Sequence, residues 1–153
     1  MTNEALQQLL TSWNPNLEFT DENNAYLNVT VNAEDLHQFM LQLKENTETS
    51  FDYLFCLTGM DWGKELGVIY HLESTTHRHT LVVRVKTSDR ENPNFDTVSN
   101  IWYTADFHER EAYDFFGIKF NNHPNMKRLF LTEEWEGFPM RKDYVDDVNM
   151  VIK

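Results

Sequence analysis

Apolar residues recur at helical spacing in three parts of the chain. In residues 4–13, leucines and a tryptophan fall at positions i, i+3, i+4 and i+7, which predicts a short amphipathic helix. The residues after Asn32 repeat this spacing as far as Leu43, and Asn32 is the predicted N-cap of a second helix. The third predicted helix covers residues 106–116 and ends at Gly117, because glycine readily adopts the left-handed conformation that closes a helix.

Alternating apolar and polar residues predict the strands. Residues 27–31 alternate leucine and valine with asparagine and threonine, as expected of a half-buried strand. Residues 67–74 and 80–86 are predicted to form a hairpin with its turn at 75–79, since their side chains alternate between two faces. The remaining predicted elements are a strand over residues 51–57, a glycine-containing loop over 58–67, a polar loop over 88–93 and a helical turn over 95–103.

The order β-α-β-β-β-α favours an α+β layered sandwich, with helices on one face of a mainly antiparallel sheet. A chain of 153 residues suits one domain and can bury roughly 70% of its extended surface. Its apolar content of 41% and aromatic content of 14% exclude the disordered class.

The pattern changes after Gly117. Residues 118–153 contain short apolar groups separated by prolines and a glycine, with no clear period. A long aperiodic stretch inside a small domain is often a binding segment, and so many aromatic residues are costly to leave in water. We therefore predict a core domain over residues 1–117 and an extended, partner-packed segment of the same domain over 118–153. A segment that folds back onto the core is the alternative.

Charge narrows the range of partners. Residues 1–117 hold 19 acidic and 7 basic residues, a net charge of −12, whereas residues 118–153 hold 6 of each. An acidic body disfavours nucleic acid and anionic lipid, both of which attract clustered lysine and arginine. We expect no nucleic-acid partner, and contact with a membrane only through other proteins.

The compartment is predicted from what the sequence lacks. The single cysteine, Cys56, excludes an internal disulfide, fits a reducing compartment and is expected to be a buried small hydrophobe rather than a nucleophile. The apolar runs are too short for a transmembrane helix, and the N-terminus does not resemble a secretory signal. These features together favour the cytoplasm.

Few residues suit catalysis. Glu109 and Glu111 could form an acid/base pair, but positions i and i+2 of a helix diverge by about 160°. We expect instead that buried carboxylates pair with arginines such as Arg110, Arg128 or Arg141 through charge-assisted hydrogen bonds. An independent small enzyme that uses Glu109 or Glu111 as its base is the alternative.

The remaining candidates are histidines. His71, His77 and His79 could hold a metal, but a solvated hairpin turn is the preferred interpretation, because no cysteine or carboxylate cluster accompanies them. His123 and Pro124 are expected to shape a turn. The chain also has too few thiolates for an iron–sulfur cluster, which needs about four, and no glycine-rich nucleotide loop. We predict no cofactor or metal site in this chain.

Residues 108–144 join the charged helix to the aperiodic segment in one ordered motif. It consists of Glu-Arg-Glu, an acid with paired hydrophobics, Gly-Ile, His-Pro, a basic-hydrophobic run and Trp-x-Gly-x-Pro-x-Arg-Lys-Asp-Tyr. Its polar, turn-forming and anchoring positions are Glu109, Arg110, Glu111, Asp114, His123, Pro124, Arg128, Trp135, Gly137, Pro139, Arg141, Lys142, Asp143 and Tyr144. This order resembles the C-subunit family of the proton-translocating NADH–quinone oxidoreductase, respiratory complex I.

The resemblance implies a ferredoxin-like α+β fold with an extended C-terminal segment. It also implies a place in the hydrophilic arm of the complex, beside the D-subunit, which holds the quinone site, and the iron–sulfur B- and I-subunits. The motif residues above would then serve as partner-interface and structural positions. FMN, iron–sulfur clusters and quinone would belong to these and other partners, so that this chain would be a non-catalytic part of an oxidoreductase and translocase.

The resemblance further implies a peripheral protein at the cytoplasmic face of the inner membrane. Since the chain ends soon after the motif, we expect a stand-alone C-subunit rather than a fusion with the D-subunit. The equivalent subunit of a membrane-bound hydrogenase or formate hydrogenlyase-type complex shares the motif and is the alternative. A soluble interaction module unrelated to respiration is a third hypothesis.

Overall fold

A five-stranded sheet forms the centre of the fold in this computed structural model, which describes residues 2–20, 26–128, 131 and 137–143. The strands of this sheet are β1 (Glu18–Thr20), β2 (Leu27–Thr30), β3 (Tyr53–Asp61), β4 (Leu66–Ser74) and β5 (His79–Thr87). They stand in the order β1-β2-β5-β4-β3, and all neighbours are antiparallel except β2 and β5. Strand β3 stands last in this order and therefore forms one edge of the sheet.

Three helices and a small second sheet complete the fold. They are α1 (Asn3–Trp13), α2 (Leu36–Glu45), α3 (Ala105–Phe116), and the parallel pair β6 (Asn94–Asp96) and β7 (Lys119–Asn121). Leu6 of α1, Leu43 of α2 and Ala112 of α3 share one core cluster with inward residues of the sheet such as Tyr70 and Val83. The predicted α+β layered sandwich with a mainly antiparallel sheet is confirmed.

The predicted loop over residues 58–67 is wrong, because β3 continues to Asp61 and β4 begins at Leu66. Gly59 interrupts the apolar alternation, which is why the pattern indicated a loop. In the fold this glycine allows α3 to pack closely on β3. A Cβ atom at position 59 would lie 2.6 Å from the ring of Phe116.

The helical turn predicted over residues 95–103 is wrong at its start, where residues 94–96 form β6 and only later residues form turns. The first residues of the predicted C-terminal segment also belong to the core. Residues 119–121 form β7 beside β6, and Ile118 and Phe120 are buried. Residues 118–121 thus fold back onto the core, which was the alternative to an extended segment.

Two local expectations need correction. Asn32 has the extended backbone of an N-cap but makes no capping hydrogen bond, and one 3-10 turn (Ala33–Asp35) precedes α2. Cys56 is only partly buried, because it follows a register shift in β3 and lies beside Thr58 rather than in the core. Within the described residues, no helix combines the length and the apolar character needed to span a membrane.

Candidate functional site

Helix α3 carries the Glu-Arg-Glu part of the motif and places its two glutamates in different environments, one in the core and one at the surface. Glu109 is fully buried, whereas Glu111 is exposed, as their separation of two helical positions requires. The helix ends at Gly117, whose positive φ of 73° matches the predicted left-handed C-cap. The two glutamates therefore cannot act together on one substrate.

Glu109 is held by hydrogen bonds from a loop rather than by an arginine, which corrects the predicted pairing. Its two carboxylate oxygens accept bonds from the Thr97 hydroxyl and from the Val98 amide, the latter at 2.9 Å. The pKa of Glu109 is raised to about 7, chiefly by burial and to a smaller extent by the charge of Asp106, while these two bonds act in the opposite direction. Glu109 thus joins α3 to the strand-to-helix loop that follows β6.

His123 approaches the same carboxylate from the other side. Its Nδ1 accepts a hydrogen bond from the Asn125 amide at 2.9 Å, which places the proton of the neutral ring on Nε2. Nε2 lies 3.2 Å from the Asp106 carbonyl and 3.9 Å from Glu109 Oε1. The His123 side chain is fully buried, and Pro124 beside it is exposed in the turn. The two residues shape a turn, as predicted.

Asp114 and Arg128 form a carboxylate–arginine pair of the predicted kind, although the sequence predicts such pairs for Glu109 and Glu111 and not for Asp114. The Arg128 Nη1 atom donates to the Asp114 carbonyl at 2.6 Å and lies 3.3 Å from Asp114 Oδ1. The second carboxylate oxygen accepts from the Leu131 amide at 3.1 Å. Because the Asp114 side chain is fully buried, this network fixes the chain after β7 to the end of α3.

Arg128 also fixes the segment 137–143. Its Nη2 atom donates to the Gly137 carbonyl at 2.8 Å, and its guanidinium lies 4.6 Å from the centre of the Phe138 ring. Phe138 in turn packs on Gly117, where a Cβ atom would approach the ring to 2.7 Å. One guanidinium therefore connects the helix end, the chain after β7 and the returning segment.

The other arginines of the motif bind carbonyls and a neighbouring carboxylate. Arg110 donates to the carbonyls of Lys127 and Arg128, at 3.4 and 3.2 Å, and does not pair with a buried acid. Arg141 forms two bonds of 2.9 Å with the Asp143 carboxylate and donates to the Arg90 carbonyl at 2.7 Å. The pairing of Arg141 with a carboxylate is thus local, between residues two apart.

The end of β3 supplies an anchor that sequence reasoning missed. Asp61 accepts two bonds of 2.8 Å from the Arg90 guanidinium, one of 2.9 Å from the Lys142 amide and one from the Gly63 amide. The Arg90 bonds hold the pKa of Asp61 well below its usual range, although burial acts in the opposite direction. The spacing of Asp61 and Gly63 signals a local turn, but nothing in the sequence indicates partners 29 and 81 residues away.

Six of the fourteen predicted site residues are therefore brought together, although in different roles. Glu109, Asp114, His123, Arg128, Gly137 and Arg141 hold α3, β7 and residues 137–143 against each other. Pro139 is half-buried, and the side chains of Lys142 and Asp143 are on the surface. Trp135 and Tyr144 lie outside the described residues.

Glu111 occupies a separate place, on the wall of a groove of about 330 Å³ between α3 and β3. Apolar residues form most of this groove, including Phe115 and Met140. Among the residues that the structure describes, no group of three histidine, cysteine or carboxylate side chains could hold a metal ion. His71 instead lies against the Phe55 ring, and His77 contacts the Thr47 carbonyl.

Curated relatives of this chain are subunits of NADH–quinone oxidoreductase. The fused C/D-subunit of Phocaeicola vulgatus is 50% identical over 122 residues, which cover 79% of this chain and 23% of that protein. The C-subunit of Chloroherpeton thalassium is 47% identical over 104 residues, covering 67% of this chain and 43% of that protein. The C-subunit of Acidothermus cellulolyticus is 37% identical over 132 residues, covering 84% of this chain and 68% of that protein. The chain thus spans about a quarter of the fused relative, and 43% and 68% of the two separate C-subunits.

The fold is also found in a solved structure. A chain of the membrane-bound sulfane sulfur reductase, an archaeal respiratory membrane complex, superposes with a TM-score of 0.80 at 24% identity, covering 97% of this chain and 88% of that one. The profile of the family described as "Respiratory-chain NADH dehydrogenase, 30 Kd subunit" matches residues 29–148. This chain belongs to the respiratory-chain NADH dehydrogenase 30 kDa subunit family, which includes the C-subunit of NADH–quinone oxidoreductase.

Proposed function

We propose that this chain is a non-catalytic subunit in the hydrophilic arm of a proton-translocating NADH–quinone oxidoreductase. In this role it holds the quinone-site D-subunit and the iron–sulfur B- and I-subunits in place during electron transfer to quinone. FMN, the clusters and quinone are bound by partners. The chain lies at the cytoplasmic face of the inner membrane and reaches the membrane through them.

One observation carries the proposal. Several motif residues make contacts within the chain, with Arg128 joining Asp114, Gly137 and Phe138. Among the described motif residues named above, Glu111 alone lines the groove between α3 and β3. A returning segment fixed at several points presents a rigid surface to other proteins, which reduces the entropy lost on binding. The relatives are named as subunits of NADH–quinone oxidoreductase, which supports this complex as the one in which the surface is used.

Fused relatives support the D-subunit as the nearest partner. In the Phocaeicola vulgatus protein the region similar to this chain is part of a polypeptide whose name combines C and D. Two folded parts of one polypeptide have a high effective concentration for each other, so a fusion is most useful where the parts already bind. We infer that this chain makes the same contact with a D-subunit.

The test is the composition of the purified assembly. We would isolate membranes gently, solubilise them and identify by mass spectrometry the proteins that co-purify with a tagged copy of this chain. Quinone-site and iron–sulfur subunits in fixed ratio are the expected result. A nickel-bearing partner would point to a hydrogenase-type complex, and a chain that purifies alone would contradict both.

A second measurement separates the scaffold from an independent enzyme. Glu111→Gln changes the exposed carboxylate of the groove and should leave electron transfer unchanged when equal amounts of assembled complex are compared. Arg141→Ala should lower the yield of the assembled complex more than it lowers the melting temperature of the free chain, because it loosens the surface segment and not the core. Turnover by the isolated chain that disappears in Glu111→Gln would refute the scaffold role.

A further inference from the structure

The outer face of helix α3 carries aromatic side chains. Phe107 is 59% exposed, and Phe115, eight positions later, is half-buried. Exposed Glu111 stands midway between them. The outer face of a surface helix ordinarily carries charged and polar side chains, because the apolar stripe is turned towards the core. This face of α3 therefore differs from that of a helix whose outer side meets only water.

The three side chains form one ridge, which we call the α3 ridge (Phe107, Glu111 and Phe115). They follow each other at intervals of four residues, and side chains at this interval stand one above another along a helix. Each interval advances about 6 Å along the helix axis, since the rise is about 1.5 Å per residue. Tyr103, which is 89% exposed in the turn before α3, adds another exposed aromatic ring near the start of the ridge.

An apolar groove lies along one side of the α3 ridge. It has a volume of about 330 Å³, and its walls are residues 57–60 of β3, the second half of α3 and Met140. Met140 is 59% exposed, and its amide donates to the Phe115 carbonyl at 2.9 Å, which holds this wall against the end of the helix. Among the described residues that line the groove, Glu111 is the single charged one.

A partner at this surface must be bound through side chains. The backbone of β3 beside the groove is covered, because Leu57 is 4% exposed and Gly59 is buried under the Phe116 ring. Exposed Thr58 and half-buried Met60 line the groove with accessible side chains. A ridge of side chains at four-residue spacing packs into the space between two such ridges of another helix. The geometry therefore favours a helix over an added strand.

We propose that the α3 ridge and the groove beside it bind a helix of a partner subunit. An apolar side chain of that helix enters the groove between Phe115 and Met140, and a lysine or arginine one turn away pairs with Glu111. Phe107 packs on the same helix nearer the start of α3. Aromatic anchors commonly supply much of the affinity of an interface, and a charge pair at their side fixes the register. The proposal rests on the proposed function only for the identity of the complex.

Charge decides between a basic partner helix and the other possible occupants. A second copy of this chain would bring together two bodies with a net charge of −12 each. The terminal residues 144–153 contain Asp146 and Asp147 and a single lysine, at the very end. A basic helix of another protein is the occupant whose charge complements Glu111 and the acidic body around it.

The test replaces Phe107 with the photo-crosslinking amino acid p-benzoylphenylalanine in the tagged full-length chain. Tyr26, 49% exposed just before β2, receives the same group as the matched control, because β2 lies far from β3 in the order of the sheet. After irradiation of intact cells the complex is purified and the crosslinked peptides are identified by mass spectrometry. We expect position 107, and not position 26, to reach one partner segment with apolar residues at helical spacing and a lysine or arginine.

Two charge reversals test the role of Glu111 in the same assay. Glu111→Lys should lower the yield of the crosslink from position 107 about tenfold, because it sets like charges against each other. Glu48→Lys, at an exposed site in the turn after α2, changes the net charge equally and should leave the yield unchanged. Both free chains should keep the melting temperature of the wild type, since both side chains are exposed.

Four results would overturn the proposal: a crosslink to residues 144–153, a crosslink to a second copy, no crosslink from position 107, or an equal loss of yield in the two charge variants. The outcome also separates this proposal from the proposed function. Co-purifying quinone-site and iron–sulfur subunits without a crosslink from position 107 would remove only the helix docking. A crosslink to the expected kind of helix in an assembly that lacks those subunits would keep the helix docking and remove the proposed function.

Discussion

At the scale of single residues, burial assigns different roles to three carboxylates of one helix. Glu109 accepts bonds from a loop, Asp114 binds Arg128, and Glu111 faces the groove. Helical spacing alone predicts that Glu109 and Glu111 diverge. It does not predict that Thr97 is the partner of Glu109, because that contact depends on how the loop after β6 crosses the helix.

Glu109→Gln should make the stability of the folded chain less sensitive to a rise in pH. The pKa of Glu109 is about 7 in the folded protein and 4.5 in the reference state, so the folded state binds the proton more tightly. Stability of the wild type therefore falls as pH rises from about 4.5 to 7, by about 3 kcal/mol at most. Glutamine resembles the protonated acid and removes this loss. Urea unfolding at pH 5 and pH 8 measures the difference.

The matched control for this prediction is Glu111→Gln on the exposed side of α3. Because it leaves buried Glu109 in place, it should keep the fall in stability that the wild type shows between pH 5 and pH 8. Glu109→Ala, in contrast, should destabilise the core at both pH values, because it leaves the Thr97 hydroxyl and the Val98 amide without their acceptor. A wild type whose advantage over Glu109→Gln grows towards pH 8 would contradict the assignment of a raised pKa.

Arg128→Ala should lower the free energy of unfolding by about 3–5 kcal/mol, because it removes the guanidinium from a fully buried carboxylate. Asp114→Asn keeps the shape of the side chain and should recover part of this loss when both changes are combined. A double-mutant cycle measured by urea unfolding gives the coupling. Additive effects of the two changes would show that Arg128 acts through Phe138 and Gly137 instead.

At the scale of elements, the sequence pattern predicts those whose signal is local. The first and third helices, the hairpin of β4 and β5 and the C-cap at Gly117 all agree with expectation. The second half of β3 does not, since Gly59 is explained by Phe116, 57 positions later, and not by its neighbours. The strands β6 and β7 could not be predicted either, because a strand of three residues has too few alternating positions to form a recognisable sequence pattern.

Gly117→Ala should destabilise the chain and loosen the segment 137–143. Alanine is strained at a φ of 73°, and its Cβ atom would meet the Phe138 ring at 2.7 Å. Gly63→Ala is a matched control, because its φ of 93° brings backbone strain but no atom lies within 4 Å of the added Cβ. Hydrogen exchange at the Met140 amide, which donates to the Phe115 carbonyl, should accelerate only in Gly117→Ala. Equal acceleration in both variants would exclude the Phe138 contact as the cause.

At the scale of the whole molecule, the uneven charge separates the folded body from the segment that follows it. The net charge of −12 lies within residues 1–117, while residues 118–153 are neutral overall. The fixed points on residues 137–143, from Arg128 to Asp61, attach part of this neutral segment to the acidic body. Composition predicts the asymmetry, but the points of attachment depend on contacts between residues up to 81 positions apart.

Salt should therefore have opposite effects on the free chain and on its complex. The Debye length shortens from about 30 Å at 0.01 M to about 8 Å at 0.15 M salt. Screening weakens the mutual repulsion of the acidic body, so the melting temperature of the free chain should rise over this range. It also weakens the attraction between this acidic body and basic surfaces of its partners, so release of the chain from solubilised complex should increase. Calorimetry of the free chain and size-exclusion chromatography of the complex measure the two effects, and a complex tightened by salt would contradict a basic partner.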